Sequence, residues 1–504
     1  MTGNDAPPHP GFPLLAAQQR MWAQGAAAPA DPAHNCGAYV EIRGDLDPVL
    51  LERALHTALA GTEALRVRFG QDHSFPWQCV VPADEAPLPR HDLSGRTGPA
   101  DAAAAWMAER LDEGSDPRSG PPYEHALLTL GERHHLLFLR HHRVVADTYS
   151  RHQYLRRVAE VYTALAAGSD VPGSRAGTLT QLVGEEMAYQ HSGQAARDEA
   201  YWREVLAAPY PETGPAGRDG AAAVRPLRAA ARLPDEVVAA LLGTAREART
   251  RWSAVLIAAL AAHLGERAGT DDVVLGLMVA GRLTRAALNT PANLANELPL
   301  RLRTPAPART AGPAGPAGRA GRAGRAGADD AFAALVGQVS ERVGGALRHQ
   351  RHRFGSPDAP AGHGHGYGGP GRTSVNILSF ERGLRFGDCV TTLRTLAAGP
   401  ADGLRLNVSG DPQAGRGLTL EFAAGPGVCT AGELAGRLEE FTESLRRYAA
   451  APLRGTPAPV RGTPAPVRGT PAPVRGKSAR SVSASPVTAS PVPAPSVSAP
   501  AGAS

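Results

Sequence analysis

Hydrophobic residues follow two periods along the chain, one typical of strands and one typical of helices. Residues Gly37 to Arg43 alternate between apolar and polar positions and predict a strand. Residues Asp47 to Leu59 repeat their apolar positions at helical spacing and predict an amphipathic helix. A later helix is predicted from Thr430 to Tyr448, because Thr430 and Glu433 have the spacing of a capping box. The mixture predicts an α/β fold.

Three stretches depart from these periods. Residues 304–328 are rich in Pro, Ala, Gly and Arg, the tract at 360–371 is rich in Gly and His, and residues 453–504 include three copies of TPAPVRG. Such compositions bury too little apolar surface to offset the entropy of ordering. We therefore expect two flexible insertions and a tail without a fixed structure.

These signals divide the chain into two lobes. The linker-like stretch around AGSDVPGS marks the boundary between them. The predicted division is a disordered start at 1–11, an N-terminal lobe at 12–172, a linker at 173–178, a C-terminal lobe at 179–452 that carries both insertions, and a disordered tail at 453–504.

Charge and composition exclude several classes of protein. The net charge is +5, but residues 454–504 alone carry +6, so the remainder sums to −1 and no nucleic-acid partner is predicted. The first 30 residues lack a signal-peptide pattern, and no apolar stretch is long enough to span a bilayer. The four cysteines form no CxxC pair, so no disulfide framework or metal site is predicted. We expect a cytoplasmic monomer that does not bind membranes.

The candidate chemistry lies between Phe138 and Ser150, read as FLRHHRVVADTYS. Residues His134 to His142 predict a strand, and side chains alternate faces along it, so His141 and His142 point to opposite sides. Paired histidine and aspartate residues at this density indicate an acid/base site where a strand meets a loop.

This segment resembles the His-His-x-x-x-Asp-Gly signature of the condensation domains of nonribosomal peptide synthetases. Counted back from Asp147, the first histidine of the signature is His142. The second histidine, to which catalysis is usually assigned, is replaced by Arg143, and the glycine is replaced by Thr148. His141 lies one position too early. The resemblance therefore implies a condensation domain with a degenerate active site.

Other motifs resemble the same family in the expected order. They are LLAAQQRMW at 14–22, EALRVRF at 63–69, the Tyr201-Trp202 pair, and NELPLR at 296–301. The resemblance covers roughly residues 12 to 452. It implies two chloramphenicol-acetyltransferase-like lobes in a V-shaped pseudodimer, with the site at their junction. It also implies that Arg66 braces Asp147, and that Asn296 and Asn376 belong to the floor loop and tunnel.

The implied chemistry is acyl transfer from a thioester to an amine or hydroxyl group. No cofactor would be bound. The substrates would be phosphopantetheine-linked and carried by acyl or peptidyl carrier proteins in trans, because no adenylation or carrier motif is present. The chain would be a stand-alone condensation protein of secondary metabolism.

The substitution at Arg143 leaves three hypotheses open. The chain could be an active enzyme in which His142 or His141 replaces the lost base. It could be a catalytically inactive module that docks carrier proteins or tailoring enzymes. It could also be an acyltransferase of the same fold that uses coenzyme A esters, although the loss of histidine counts against that equally. Arginine cannot act as a base because its pKa exceeds about 12, but it can stabilise an oxyanion or bind an anion.

Overall fold

The computed structural model describes most of the chain before residue 451. The described residues are 11–26, 28–72, 75–209, 213–214, 226–305, 320–354, 373–378, 383–399, 403–425 and 427–450. The predictions for residues 1–10, 360–371 and 453–504 lie outside this part of the chain.

The described chain contains both helices and strands, as the two hydrophobic periods predict. The strands are β1 (Phe12–Pro13), β2 (Asn35–Arg43), β3 (Val67–Asp72), β4 (Phe75–Val80), β5 (Arg90–Asp92), β6 (Tyr123–Gly131), β7 (His134–His142), β8 (Leu227–Arg232), β9 (Asp272–Val279), β10 (Asn296–Arg303), β11 (Thr373–Leu378), β12 (Val390–Ala398), β13 (Leu404–Gly410) and β14 (Leu418–Ala424). The helices are α1 (Ala16–Gly25), α2 (Pro48–Ala60), α3 (Pro99–Asp112), α4 (Thr148–Ala166), α5 (Leu179–Gln190), α6 (Gly193–Val205), α7 (Asp235–Glu247), α8 (Trp252–Ala268), α9 (Arg285–Asn289), α10 (Ala320–Arg348) and α11 (Ala431–Ala449).

A five-stranded sheet in the order β12-β2-β7-β6-β5 carries the candidate site. β2 and β7 are antiparallel, and Cys36 pairs with His141 while Asn35 pairs with His142. Helices α2 and α4 contribute to the core against one face of this sheet, whereas α3 contributes to a smaller core against the other face. The candidate histidines therefore lie at the end of a strand that is paired on both sides.

A six-stranded sheet in the order β10-β9-β11-β13-β14-β8 forms the second half. Its apolar face shares one hydrophobic core with α7, α8, α10 and α11, and α8 is buried on nearly all sides. The alternate residues of its strands, such as Asn376, Asn407 and Glu421, are polar and share one row across β11, β13 and β14. One face of this sheet is thus core and the other is a polar surface.

One strand of the first sheet comes from far along the sequence. β12 pairs with β2 in antiparallel register from Val390 opposite Arg43 to Ala398 opposite Cys36. Residues Ala287, Ala292 and Leu294 likewise belong to the hydrophobic core beneath the first sheet. The second half of the chain therefore completes the first sheet and its core, while the predicted lobe bounds stay a prediction.

The helix α10 corrects one sequence prediction. It begins at Ala320, inside the segment 304–328 that we predicted to be a flexible insertion, and residues 306–319 lie outside the described chain. Ala and Arg favour helices whereas Gly disfavours them, so the helix through the Arg-Ala-Gly repeats depends on packed residues further on, such as Phe332. No helix among the described residues is long and apolar enough to cross a membrane.

Candidate active site

The candidate site is built where β7 ends and α4 begins. The backbone N–H of His142 donates to Pro122 O at 2.8 Å, and the N–H of Arg143 donates to His34 O at 2.9 Å. The N–H of Val145 then returns to His142 O at 3.1 Å, which closes a turn. These bonds fix the backbone of the signature between the sheet and the helix.

Asp147 is the N-cap of α4. Its Oδ1 accepts hydrogen bonds from the Ser150 N–H and from Ser150 Oγ, both at 2.8 Å. Its Oδ2 accepts from the N–H groups of Leu294 and Ala295, at 3.0 and 3.1 Å. An aspartate at this position satisfies the exposed amides of the first helical turn. Here it also ties the helix to the segment before β10.

The charge of Asp147 is matched by Arg282. The two guanidinium nitrogens Nη1 and Nη2 donate to the two carboxylate oxygens at 2.9 and 3.2 Å. The Arg282 side chain is 1% exposed and also donates to Ser150 Oγ and Ala292 O, at 2.6 and 2.8 Å. Its guanidinium carbon lies 4.6 Å from the centre of the Tyr149 ring. The pair is therefore buried, bidentate and part of a hydrogen-bonded cluster.

The predicted brace from Arg66 is wrong. Arg66 donates instead to the backbone carbonyls of Leu59, Ala60 and Val81, and so joins the end of α2 to the strand β4. A guanidinium group has five N–H donors, and the guanidinium group of Arg66 directs its hydrogen bonds to three backbone carbonyls. The brace of Asp147 comes from Arg282, which is 135 residues further along the chain.

The surroundings keep Asp147 ionised. Burial raises the pKa of its carboxyl group, but the charge and hydrogen bonds of Arg282 and the backbone N–H groups outweigh burial, so the pKa lies below its usual value. The carboxylate has all of its oxygens engaged by donors. The Asp147 carboxylate therefore joins the start of α4 to Arg282 and to the segment before β10, while its predicted place among the catalytic residues stays a prediction.

His142 is buried and neutral. Its Nδ1 accepts a hydrogen bond from the Val144 N–H at 3.2 Å, so the neutral ring carries its proton on Nε2. Burial, followed by the neighbouring His34 and Arg143, lowers the pKa of His142 to about 3. His142 is 5% exposed, and the centre of its ring lies 5.3 Å from the centre of the His34 ring. The lone pair that a base would use is already occupied.

His141 faces the other side of the strand. Its side chain is 2% exposed and lies among Leu139, Ala146 and Tyr154, in the core against α4. Burial lowers the pKa of His141 to about 3, and a hydrogen bond with the backbone of Ala146 opposes this only in part. This orientation follows from strand alternation, and it directs His141 into the protein interior.

Arg143 lies at the position of the second signature histidine and is half-buried. Its backbone carbonyl accepts a hydrogen bond from Asn293 Nδ2 at 2.7 Å. Its side chain packs near Gly399, because a Cβ built on that glycine would lie 3.9 Å from Arg143 Cδ and Nε. The charge of Arg143 lowers the pKa of His34 and His142. Arg143 is thus half-buried, whereas the neighbouring His141 and His142 are buried.

The two predicted tunnel residues lie in different places. Asn296 donates to the carbonyls of Gln350 and His352, at 2.9 and 2.7 Å, and lines a cavity of about 520 Å³. Leu294 lines the same cavity while its N–H reaches Asp147, so the cavity adjoins the buried ion pair. Asn376 is not among the residues that line it. It lies on β11 and donates to Asn407 Oδ1 at 3.1 Å.

Sequence reasoning missed the role of Arg282. The signal available was the Ala280-Gly-Arg282 stretch directly after the apolar strand β9. Gly281 adopts a φ of +66°, and a Cβ there would meet Leu294 O at 2.1 Å, so only glycine fits. Within the described residues, no group of three His, Cys, Asp or Glu side chains is placed to hold a metal ion.

Comparisons with known proteins agree with this geometry. A family model described as a condensation domain matches residues 11–356. The chain is 33% identical over 446 residues to an isonitrile lipopeptide synthase of Streptomyces coeruleorubidus. The matched region covers 88% of this chain and 29% of that protein. It is 30% identical over 420 residues to a dimodular nonribosomal peptide synthase of Bacillus subtilis, which covers 83% of this chain and 17% of that protein. The chain spans less than a third of the length of these relatives.

Solved structures show the same similarity. The first condensation domain of the calcium-dependent antibiotic synthetase, in complex with a substrate analogue, is 31% identical with a TM-score of 0.75, over 88% of this chain and 97% of that one. A mutant starter condensation domain of rhizomide synthetase, in complex with C8-CoA and Leu-SNAC, is 28% identical with a TM-score of 0.74, over 87% and 94% of the two chains.

Proposed function

The chain belongs to the condensation-domain family, and from this premise we propose that it transfers a carrier-bound acyl or aminoacyl thioester to an amine or hydroxyl acceptor. The observation that carries the proposal is the buried Asp147–Arg282 pair. It holds the signature turn between β7 and α4 although the second histidine is absent. Since the turn is built in full, Arg143 is presented on a rigid support.

Arg143 supplies positioning and charge in this proposal. Attack of an amine on the thioester carbonyl places negative charge on the carbonyl oxygen, and a guanidinium group can donate hydrogen bonds to it. The C–N bond forms, the C–S bond breaks, and the proton lost by the amine ends on the departing thiolate. His142 does not serve as the base here, because its Nδ1 is engaged by Val144 and its pKa is lowered to about 3.

A second candidate function is a non-catalytic module that docks carrier proteins or tailoring enzymes. The observation that favours it is the same substitution, since Arg143 cannot remove a proton and neither neighbouring histidine is exposed. Loss of a positioned base lowers a rate by on the order of 10²–10⁴. In this case the scaffold would persist for binding alone.

Phosphopantetheine-linked substrates and carrier proteins in trans are the partners that the proposal needs. The cavity of about 520 Å³ beside Leu294 and Asn296 is large enough for part of such a substrate arm. Its lining includes Glu185, Tyr189 and Arg353, which offer both donors and acceptors. We also propose that the protein is cytoplasmic and monomeric. Size-exclusion chromatography with light scattering measures the molar mass and so checks the monomeric state.

The experiment that tests the function uses C8-CoA as donor and Leu-SNAC as acceptor, the probes bound by the rhizomide synthetase domain. Formation of the octanoyl-leucyl thioester is followed by mass spectrometry. Product with the native protein, reduced in Arg143→Gln but retained in the distant control Arg133→Gln, supports acyl transfer. Bound C8-CoA without product supports the docking module. If C8-CoA neither binds nor reacts, and a carrier-linked octanoyl group does neither as well, both functions are wrong.

A further inference from the structure

The strand β12 carries an irregularity near the candidate site. Its pairing with β2 shifts between Thr395 and Ala397, so Leu396 is the extra residue of a β-bulge. A bulge leaves local backbone groups without their ladder partners and bends the strand. The carbonyl groups of this bulge therefore need donors from elsewhere.

Arg228 supplies these donors. Its Nη1 donates to Thr395 O at 3.0 Å and to Leu396 O at 2.5 Å. Its Nε donates to Glu421 Oε2 at 3.0 Å, and its Nη2 donates to the same oxygen. Arg228 and Glu421 belong to the second sheet, on β8 and β14, whereas the bulge belongs to the first sheet. The guanidinium group therefore joins the two sheets through a backbone contact and an ion pair.

Glu421 is itself held in place. Its Oε1 accepts from Asn407 Nδ2 at 3.0 Å, and Asn407 Oδ1 accepts from Asn376 Nδ2 at 3.1 Å. These three residues form one row across neighbouring strands, with Asn376 opposite Asn407 and Asn407 opposite Glu421. A side chain that is already held through one carboxylate oxygen loses less entropy when its other oxygen binds Arg228. We call the set Asn376, Asn407, Glu421 and Arg228 the polar row.

The bulge is also held from the helix that carries the signature. Arg151 Nη2 donates to Thr395 Oγ1 at 2.8 Å, and Arg151 lies one helical turn after Asp147. The Arg151 side chain is buried. Thr395 is thus bonded by Arg228 from the second sheet and by Arg151 from α4.

The residues that follow the bulge pack against Arg143. Gly399 adopts a φ of +78°, which glycine accepts without strain. A Cβ built there would lie 3.7 Å from Cys36 Sγ and 3.9 Å from Arg143 Cδ. Gly399 therefore lies against both residues, so a displacement of the segment from Thr395 to Gly399 would change the packing around Arg143 and Cys36.

We propose that Arg228 is a positioning residue of the site: by binding the β12 bulge and Glu421 together, it sets the position of Gly399 against Arg143. The inference rests on the proposed function of Arg143 only for its consequence in catalysis, because the contacts stand without it. When Arg228 is replaced, the carbonyls of the bulge lose their hydrogen-bond donor. The segment after Thr395 then becomes more mobile, and Arg143 loses its packing contact with Gly399.

The test uses the native thiols as reporters. Cys36 is 7% exposed and lies under Gly399, whereas Cys79 is 1% exposed on β4, which belongs to a different sheet. Labelling by N-ethylmaleimide is followed at each cysteine by peptide mass spectrometry. We expect Arg228→Gln to raise the labelling rate of Cys36 at least tenfold and to leave that of Cys79 unchanged. Arg232→Gln is the matched control, since Arg232 lies on the same strand and pairs with Asp235 at 3.6 Å.

Two further variants separate positioning from stability. Arg228→Lys keeps a donor for one carbonyl and should restore most of the Cys36 protection, whereas Glu421→Gln should raise Cys36 labelling less than Arg228→Gln. An unchanged Cys36 rate in Arg228→Gln overturns the proposal. A parallel rise at Cys36 and Cys79 also overturns it, because it shows general unfolding.

A second arm connects the contact to the proposed function. C8-CoA should slow Cys36 labelling in the native protein and should lose at least tenfold in affinity in Arg228→Gln, measured by isothermal titration calorimetry. If Cys36 responds to Arg228→Gln as expected, but neither C8-CoA nor a carrier-linked octanoyl group binds to or reacts with the native protein, the contact stands and the proposed function fails. If both proteins bind C8-CoA equally and form the octanoyl-leucyl product, and Cys36 labelling is unchanged by the variant, the proposed function stands and the positioning role fails.

Discussion

Arg282 and Asp147 form a bidentate ion pair whose two side chains are 1% and 8% exposed. The aspartate begins α4 in the first half of the fold, and the arginine follows β9 in the second half. Each partner has further hydrogen bonds to Ser150 or to backbone groups near Ala292. The pair therefore joins the two halves of the fold at the base of the signature turn.

Breaking this pair should unfold the protein more readily. Arg282→Met leaves the buried Asp147 carboxylate without its cation, and the free energy of unfolding should fall by roughly 3–5 kcal/mol. Urea denaturation followed by circular dichroism measures the change. The control Arg133→Met removes an exposed pair with Asp45 and should cost less than about 1 kcal/mol.

The single variant Asp147→Asn and the double variant Arg282→Met/Asp147→Asn complete a double-mutant cycle with Arg282→Met. Asparagine keeps an oxygen for the Ser150 N–H, so the double variant should be more stable than Arg282→Met alone. If Arg282→Met and the double variant had the same free energy of unfolding, the buried charge pair would be contradicted. Strict additivity of the two single changes would contradict it as well.

Acid should destabilise the protein between neutral pH and about pH 3. His125, His141 and His142 are buried, and burial lowers the pKa of each to about 3. In the unfolded chain these groups bind protons near pH 6.5, so the unfolded state binds more protons and stability is lost as pH falls from 6.5 toward 3. Each histidine should contribute about 2 kcal/mol to the loss between pH 7 and 5.

The pH dependence can be checked with one substitution. His142→Asn keeps an oxygen that can accept from the Val144 N–H, and it removes one titrating group. Its free energy of unfolding should change by about 2 kcal/mol less than that of the native protein between pH 7 and 5. His191→Gln, at an exposed position, is the control. A slope for His142→Asn identical to the native one would mean that the pKa of His142 is the same in the folded and unfolded states, which contradicts the lowering by burial.

Activity should depend on Arg143 and not on the buried histidines. Arg143→Gln is expected to lower kcat by about 10²–10³-fold, the range typical for removal of one oxyanion donor. His142→Asn should change kcat less than tenfold. A loss of two orders of magnitude in His142→Asn or His141→Ala, with native folding, would instead identify a histidine base. In a non-catalytic module, Arg143→His should fold normally and could be assayed for newly gained acyl transfer.

The tail should contribute nothing to the folded body. Residues 453–504 have a composition that cannot bury a core, so a chain ending at residue 453 should melt within about 1–2 °C of the full chain. Differential scanning calorimetry at two scan rates checks this. A marked fall in Tm would show that the tail binds to the folded body.

Local patterns in the sequence determined much of the fold and the place of the site. The strand predicted from Gly37 to Arg43 lies within β2, and the helix predicted after Asp47 is α2 with Asp47 as its cap. The capping box of Thr430 and Glu433 is present at the start of α11. The mixed α/β class and the condensation-domain family are confirmed as well. These features depend on residues close in sequence, whose spacing is read directly.

The tertiary structure alone decided which groups meet at the site. The family resemblance implied Arg66 as the partner of Asp147, but the cation is Arg282. The first sheet is completed by β12, which lies more than 240 residues after His142. Burial of His142 and the engagement of its Nδ1 likewise depend on its neighbours in space. Periodicity specifies which face a side chain occupies, whereas charge pairing and strand order depend on long-range packing that brings distant residues together. For that reason the signature could be located from the sequence, and its chemistry could be argued only from the fold.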